Sequence, residues 1–175
     1  MKRKIACLLA CVLLCISFCS CGKQTSPVED FTYEFEEGTV KITGYTGADR
    51  EIVVPDTIEE RPVTTIGEEA FSGYDLVSIV LPDTLKTIEK DAFYQCTNLK
   101  SIEVPDGVTE IGTRAFDKCE EIINVNLPDT LTLLDSAAFY ECISLKEITI
   151  PKNLTELENA LFLWMYFFRK YRNSR

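Results

Sequence analysis

A repeated segment of 23 residues constrains the fold of this chain more than any other feature. The pair Ala-Phe recurs at Ala70, Ala92, Ala115 and Ala138, and apolar residues recur at matching positions around it. The spacing is 23 residues, except that the first unit lacks one residue before Leu76. One unit of this length cannot bury its apolar positions alone, whereas stacked copies can bury each other's. The period therefore predicts a solenoid.

Each unit is predicted to contain a short strand, a turn and a compact Ala-Phe segment. Ile102 and Val104 flank the polar Glu103, and this alternation is typical of a half-buried strand. Pro105 ends the strand, and Pro-Asp followed by Gly or Thr is typical of a turn. The Ala-Phe pair is predicted to lie in a short helical or 3-10 turn. Stacked units then predict parallel β-strands that line one face of the solenoid.

The repeated pattern also resembles a known family. Its form is I-x-x-x-A-F-x-x-C-x-x-L-x-x-I-x-[VIL]-P-x-x-[LV]-x-x-I, and EIVVPDTIEERPVTTIGEEAF precedes it. Together these motifs resemble the BspA-like leucine-rich repeat family of bacterial cell-surface proteins over residues 51 to 162. The resemblance implies a curved, extracellular leucine-rich-repeat solenoid that is used in binding and adhesion. It implies no catalytic residues.

The patterns divide the chain into five predicted segments. Residues 31 to 46 alternate apolar and polar side chains around Glu37-Gly38, which predicts a β-hairpin. With Glu51 to Val54, this hairpin is predicted to cover the open end of the first repeat. The segments are a signal peptide (1–21), a linker (22–30), an N-terminal β cap (31–65), leucine-rich repeats (66–162) and an aberrant tail (163–175).

The N-terminus predicts export. A cationic MKRK is followed by an apolar run from Ile5 to Phe18, which has the length of a signal-peptide core and is too short to cross a bilayer. Cys21 follows the small Ser20 and precedes a polar stretch, so this site resembles a bacterial lipobox. The resemblance implies lipidation of Cys21 and membrane attachment through that lipid only. Phe18 and Cys19 depart from the lipobox pattern, so a secreted protein is the alternative.

Charge and composition restrict the partners and the chemistry. The formal net charge is -10, and removal of Lys2, Arg3 and Lys4 with the signal peptide makes it -10 - 3 = -13. An excess of carboxylates repels phosphate backbones, so no nucleic-acid partner is predicted. The chain has no histidine, the usual general base at neutral pH and the commonest metal ligand. This absence disfavours most hydrolase and zinc sites and, together with the resemblance, which implies no catalytic residues, it predicts no enzymatic activity and no cofactor.

Two columns of repeated side chains are predicted to be structural. Cys96, Cys119 and Cys142 stand 23 residues apart, and a solenoid would stack them in a line that gives no tetrahedral metal cage. Small buried apolar residues are the favoured interpretation of these thiols. The acids that follow the strand-ending prolines lack the dense carboxylate spacing of a calcium loop and are predicted to be solvated turns. These acids are Asp56, Asp83, Asp106 and Asp129.

The strand residues that alternate with core positions form the predicted binding face. They are small, polar and weakly acidic, so they can form hydrogen bonds with a protein or a carbohydrate. They lack the Trp, Tyr and Arg of binding hot spots, so a plain solvated sheet face is the alternative. The candidate ligand-binding residues are Ser78, Val80, Ser101, Glu103, Asn124, Asn126, Glu147 and Thr149.

Together these patterns predict a non-catalytic, surface-exposed module that recognises protein or glycan ligands. One alternative is the substrate-targeting repeat region of a larger envelope enzyme whose catalytic part is lost by truncation. A second alternative is a structural spacer in the cell envelope.

The final segment, FLWMYFFRKYRNSR, breaks the repeat. Adding three periods to Cys96 and Leu99 gives Met165 and Phe168, so the expected pattern is lost. The apolar run is too short to span a membrane, although an interfacial anchor would fit its aromatic and basic residues. A shift of one nucleotide lets the same codons encode GCTSLESIEIP, which aligns with QCTNLKSIEVP. We therefore expect a chain truncated by a frameshift near residues 158 to 163.

The coding DNA tests this expectation. Trp164 and Met165 have single codons, so the plus-one frame must encode Gly-Cys at this point, with Cys in the register of Cys96. We expect this frame to continue the repeat beyond residue 175. A stop codon or an unrelated sequence there would disprove the frameshift.

Overall fold

A computed structural model describes residues 24–135, 137–154 and 156–157 of the chain. The predicted signal peptide, Cys21 and the aberrant tail lie outside the described residues. The part that is described is a β-solenoid, which confirms the predicted fold class.

The first elements of the described chain are a short 3-10 helix and a β-hairpin. Strands β1 and β2 pair in antiparallel orientation across the Glu37-Gly38 turn. Ser26 exchanges two hydrogen bonds with the backbone of Val53, at 2.9 and 3.0 Å, so this end of the predicted linker packs on the first strands of the solenoid. The elements are the 3-10 helix (Val28–Asp30), β1 (Phe31–Glu36), β2 (Thr39–Tyr45), β3 (Glu51–Val53), β4 (Thr57–Ile58) and β5 (Arg61–Ile66).

Each repeat then contributes two short strands. One strand comes from the segment that the sequence predicts, and a second, even shorter strand follows the Pro-Asp turn. The first set is β6 (Ser78–Val80), β8 (Ile102–Glu103), β10 (Asn124–Asn126) and β12 (Glu147–Thr149). The second set is β7 (Thr87–Ile88), β9 (Glu110–Ile111), β11 (Leu133–Leu134) and β13 (Glu156–Leu157).

The two sets of strands form two sheets on different sides of the solenoid. One sheet has the order β1-β2-β5-β7-β9-β11-β13, is parallel from β2 onward, and has β4 as an antiparallel partner of β5. On the other side β3 pairs with β6, and β10 pairs with both β8 and β12, all in parallel. A single bridge between Ser78 and Ser101 joins these two groups. The sequence predicted parallel strands on one face, and the structure adds the second sheet.

A stack of phenylalanine rings runs through the interior. Phe71, Phe93, Phe116 and Phe139 are buried, and successive ring centroids lie 5.3, 5.1 and 5.1 Å apart. The planes of successive rings differ by at most 5°, so the rings stack in parallel. Each ring is therefore covered on a face by a ring that a neighbouring turn supplies.

The Ala-Phe segments form the third side of the solenoid, which we call the turn-lined side (residues 69–74, 91–96, 114–119 and 137–142). They were predicted to be short helical or 3-10 turns, but within the described repeats they contain hydrogen-bonded turns and no helix. The reason is a left-handed residue at two positions of each turn, which interrupts a right-handed helix. The two columns are Glu69, Asp91, Arg114 and Ala137, and Gly73, Gln95, Lys118 and Glu141.

This alternation of backbone conformation directs hydrogen bonds from one turn to the next. The Phe71 N–H donates to the Ala92 carbonyl and the Phe93 N–H donates to the Ala115 carbonyl, both at 2.8 Å. The Phe116 N–H donates to the Ala138 carbonyl at the same distance. Only one of the eight left-handed residues is a glycine, and each of the others costs about 1 kcal/mol in backbone strain. The hydrogen bonds between turns offset that cost.

Among the residues that the structure describes, no helix has the length and apolar character needed to cross a membrane.

Threonine hydroxyls add further bonds between turns beside the Pro-Asp corners. The Thr84 hydroxyl donates to the Val63 carbonyl at 2.7 Å, and the Thr130 hydroxyl donates to the Val108 carbonyl at 2.9 Å. Gly107 occupies the corresponding position in the turn between them. A Cβ atom added there would lie 3.4 Å from the Leu85 carbonyl, the acceptor that a hydroxyl at this position would use. The nearest atom, at 3.1 Å, is the mobile end of a lysine side chain.

We expect Gly107→Thr to stabilise the protein by about 1 to 2 kcal/mol, because it adds one hydrogen bond and lowers the entropy of the unfolded chain. Gly107→Ala is the control, since it retains the entropic effect without the hydroxyl. Urea unfolding should rank the proteins as threonine, alanine and glycine in decreasing stability. Equal stability of the threonine and alanine variants would contradict the proposed hydrogen bond.

Candidate functional site

The eight candidate ligand-binding residues lie on one exposed surface, which we call the outer face. Their side chains are exposed or half-buried, whereas the residue between each pair, such as Ile79 or Val125, points into the core. The parallel register aligns them in two columns. One column contains Ser78, Ser101, Asn124 and Glu147, and the other contains Val80, Glu103, Asn126 and Thr149.

Two neighbours on β3 extend these columns. Glu51 pairs with Ser78, and Val53 pairs with Val80. Glu51 was predicted to belong to the cap, because 27 residues separate it from Ser78 and the 23-residue period does not reach it. The shared form of EIVVPD and SIVLPD is the signal that relates the two strands.

The outer face contains a shallow depression of about 440 Å³ between β6 and β8. These two strands share only the Ser78–Ser101 bridge, whereas β10 and β12 share three register pairs. The depression therefore coincides with the place where adjacent strands are least paired. Its lining includes the candidate residues Ser78, Val80, Ser101 and Glu103.

Three carboxylates border this depression. Asp83 and Asp106 belong to the Pro-Asp turns that follow β6 and β8, and Glu103 lies on β8. Among the described residues, none of these three carboxylates has a hydrogen-bond or ion-pair partner. Ile79, Leu81 and other apolar side chains form part of the lining. The site therefore combines hydrogen-bond acceptors with a small apolar surface.

In the part of the chain that the structure describes, no group of acids and cysteines has metal-binding geometry.

A second polar cluster lies on the turn-lined side. Asp91 is buried and binds Arg114 of the next turn through Oδ2 at 2.7 Å. Arg114 and Lys118 both lie over the ring of Tyr94, at 5.3 and 5.6 Å from its centroid. Cation–π contacts of this kind hold the long side chains against the surface of the turns. The sequence gives no signal for this cluster, because its members belong to two successive repeats and the matching positions carry different residue types.

Asp117 lies in the same cluster and is 4% exposed. Its Oδ1 atom is buried without a hydrogen-bond partner among the described residues. Burial raises the pKa of Asp117 to about 6, while the nearby Lys118 cation opposes the shift and Glu141 adds to it. A carboxylate in this place is disfavoured because it loses its hydration without gaining a full set of hydrogen bonds.

Comparison of the sequence with models of known protein families identifies the same repeat, in which a strand, a Pro-Asp turn and an Ala-Phe turn follow one another. The family model for the BspA type leucine rich repeat region matches residues 53–166 in six copies. The chain belongs to this family. No curated protein sequence matches the chain.

Solved leucine-rich repeat structures have a similar fold. A leucine-rich repeat protein of T. pallidum is 24% identical, with a TM-score of 0.64 over 86% of this chain and 95% of that one. A protein of Bacteroides capillosus is also 24% identical, with a TM-score of 0.59 over 71% of this chain and 96% of that one. A leucine rich cell surface protein of Faecalibacterium prausnitzii is 27% identical, with a TM-score of 0.57. The match covers 77% of this chain and 44% of that protein.

The cysteine column of these BspA-type repeats is buried, as predicted. Cys96, Cys119 and Cys142 are free thiols with at most 4% exposure. Each Sγ donates to a phenylalanine carbonyl of the preceding turn, at 3.0 to 3.2 Å. Burial raises the pKa of Cys96 and of Cys142 to about 12, and it raises the pKa of Cys119 well above its usual value. These thiols are therefore held as neutral packing groups rather than as reactive thiolates.

We expect the three thiols to resist a maleimide near pH 8 in the chain from residue 22 onward, because the thiolate is the reactive form. Labelling should begin only when denaturant unfolds the solenoid, as followed by mass spectrometry. Ser101→Cys, on the exposed outer face, should be labelled at once under native conditions. Rapid native labelling of all three repeat cysteines would contradict the predicted burial.

Proposed function

We propose that this BspA-type repeat protein is a non-catalytic binding module that recognises protein or glycan ligands through its outer face. The observation that supports this most directly is the alignment of its exposed polar side chains in two columns across at least four strands. A ligand that contacts successive turns would meet two aligned and mostly polar side chains at each turn. Repeat solenoids use extended surfaces in this way.

The chemistry of the outer face favours a ligand rich in hydroxyl, amide or ammonium groups. The side-chain amides of Asn124 and Asn126 supply both donors and acceptors, while Glu103 supplies acceptors. Val80, which is 37% exposed, supplies apolar contact beside the depression. This combination suits a sugar ring or an extended polypeptide, because both present polar groups next to short apolar surfaces.

We also propose that the protein acts at the cell surface. The signal-peptide pattern and the similarity to a cell-surface protein of Faecalibacterium prausnitzii support export. Lipidation of Cys21 would hold the solenoid at the membrane through its N-terminus, with the outer face free to meet ligands.

A binding screen against arrays of glycans and extracellular proteins tests the proposal. We expect Asn124→Ala combined with Asn126→Ala to weaken binding of any hit by about tenfold, because each lost hydrogen bond contributes about 0.5 to 1.5 kcal/mol. The matched control is Thr87→Ala combined with Glu110→Ala, two paired positions on the other sheet. This control should bind as well as the original protein.

Two outcomes would overturn the proposal. If the asparagine variant binds a hit unchanged, the outer face is not the site. If the protein binds nothing on either array, the spacer interpretation takes its place. Urea unfolding of each variant separates a loss of binding from a loss of folding.

A further inference from the structure

Asp117 occupies a position where the neighbouring turns carry tyrosine. The corresponding residues are Tyr94 in the preceding turn and Tyr140 in the following turn. A tyrosine can bury its ring and keep its hydroxyl at the surface, whereas the short aspartate side chain cannot reach water from the same place. As a result, Oδ1 of Asp117 is buried and has no hydrogen-bond partner among the residues that the structure describes.

This residue also lies within the hydrogen bonds that join three turns. Its own carbonyl accepts the Gln95 N–H from the preceding turn at 2.9 Å. The residues on either side of it, Phe116 and Lys118, donate their N–H groups to the following turn, both at 2.8 Å. A disturbance of Asp117 would therefore act on the contacts of its turn with both neighbours.

Charged groups from all three turns act on Asp117. Arg114 and Lys118 on its own turn favour the carboxylate, whereas Asp91 of the preceding turn and Glu141 of the following turn oppose it. The opposite charges are already engaged, since Arg114 binds Asp91 and Lys118 lies 4.0 Å from Glu141. Desolvation is consequently the dominant influence on Asp117.

We propose that Asp117 makes the packing of the turn-lined side depend on protonation. The neutral carboxyl fits the buried site and keeps the turn of residues 114–119 closed on its neighbours. The carboxylate is poorly solvated there and favours local opening of that turn. The device would make this side of the solenoid more rigid in acidic surroundings than at neutral pH, and it does not depend on the proposed ligand face.

Protonation of Asp117 stabilises the folded state, because burial raises the pKa of this carboxyl. The folded state holds the Asp117 proton more tightly than the open or unfolded state, in which the pKa of the carboxyl is near its ordinary value of 3.8. The stability contributed by this proton is fully present at pH values below 3.8. It is lost as the pH rises through about 6.

Hydrogen exchange at the amides of Phe116 and Lys118 tests the proposal. The original protein and Asp117→Asn are compared at the same pH, so that intrinsic exchange rates cancel. We expect the ratio of exchange rates, original protein over variant, to rise by about 25-fold between about pH 4.5 and about pH 7.5, because the pKa of Asp117 is about 6 in the closed turn and about 3.8 in the open one. Asp117→Tyr, which introduces the residue of the neighbouring turns, should also remove this pH dependence.

The Lys86 amide, which donates to the Thr64 carbonyl on a different side of the solenoid, serves as the internal control. Its ratio should stay constant across the same pH range. Asp129→Asn, at an exposed acid, controls for the change in net charge and should behave like the original protein. A constant ratio at Phe116 and Lys118 would overturn the proposal, and so would an equal rise at Lys86.

Discussion

The structure depends on the burial of apolar side chains between successive turns of the solenoid. No single repeat encloses its own apolar residues, and the rings of Phe71, Phe93, Phe116 and Phe139 stack on rings from neighbouring turns. The same requirement fixes the register of both sheets, because a shift by one residue would carry the inward isoleucines to the surface. The strained left-handed residues are tolerated because the stacking is repeated at each turn.

Much of this fold follows from the periodicity of the sequence. The Ala-Phe pairs and the strand-ending prolines locate the turns, and the alternation around Ile79 and Val125 identifies which strand residues point outward. The candidate residues of the outer face therefore have the predicted exposure. Their role in binding stays a prediction, because exposure describes where a side chain lies and carries no information on the ligand.

Other features could not be predicted from the sequence, for physical reasons. Strands such as Thr87–Ile88 are two residues long, and so short a segment has no detectable alternation of its own. Arg114 and Lys118 give no sequence signal for left-handed conformation, since the surrounding hydrogen bonds impose it on them. The burial of Asp117 likewise depends on residues from three turns, which no single repeat contains.

The hydrogen bonds of the turn-lined side give the solenoid an electrical polarity. The peptide group between Ala92 and Phe93 accepts a bond from the preceding turn and donates one to the following turn, and the group between Ala115 and Phe116 does the same. Their dipoles therefore point along the solenoid axis in one direction, unlike the alternating dipoles of a β-sheet. As in an α-helix, aligned peptide groups give opposite partial charges to the two ends of the array. Each additional repeat in this arrangement therefore adds one more aligned peptide dipole along the solenoid axis, and it also extends the outer face.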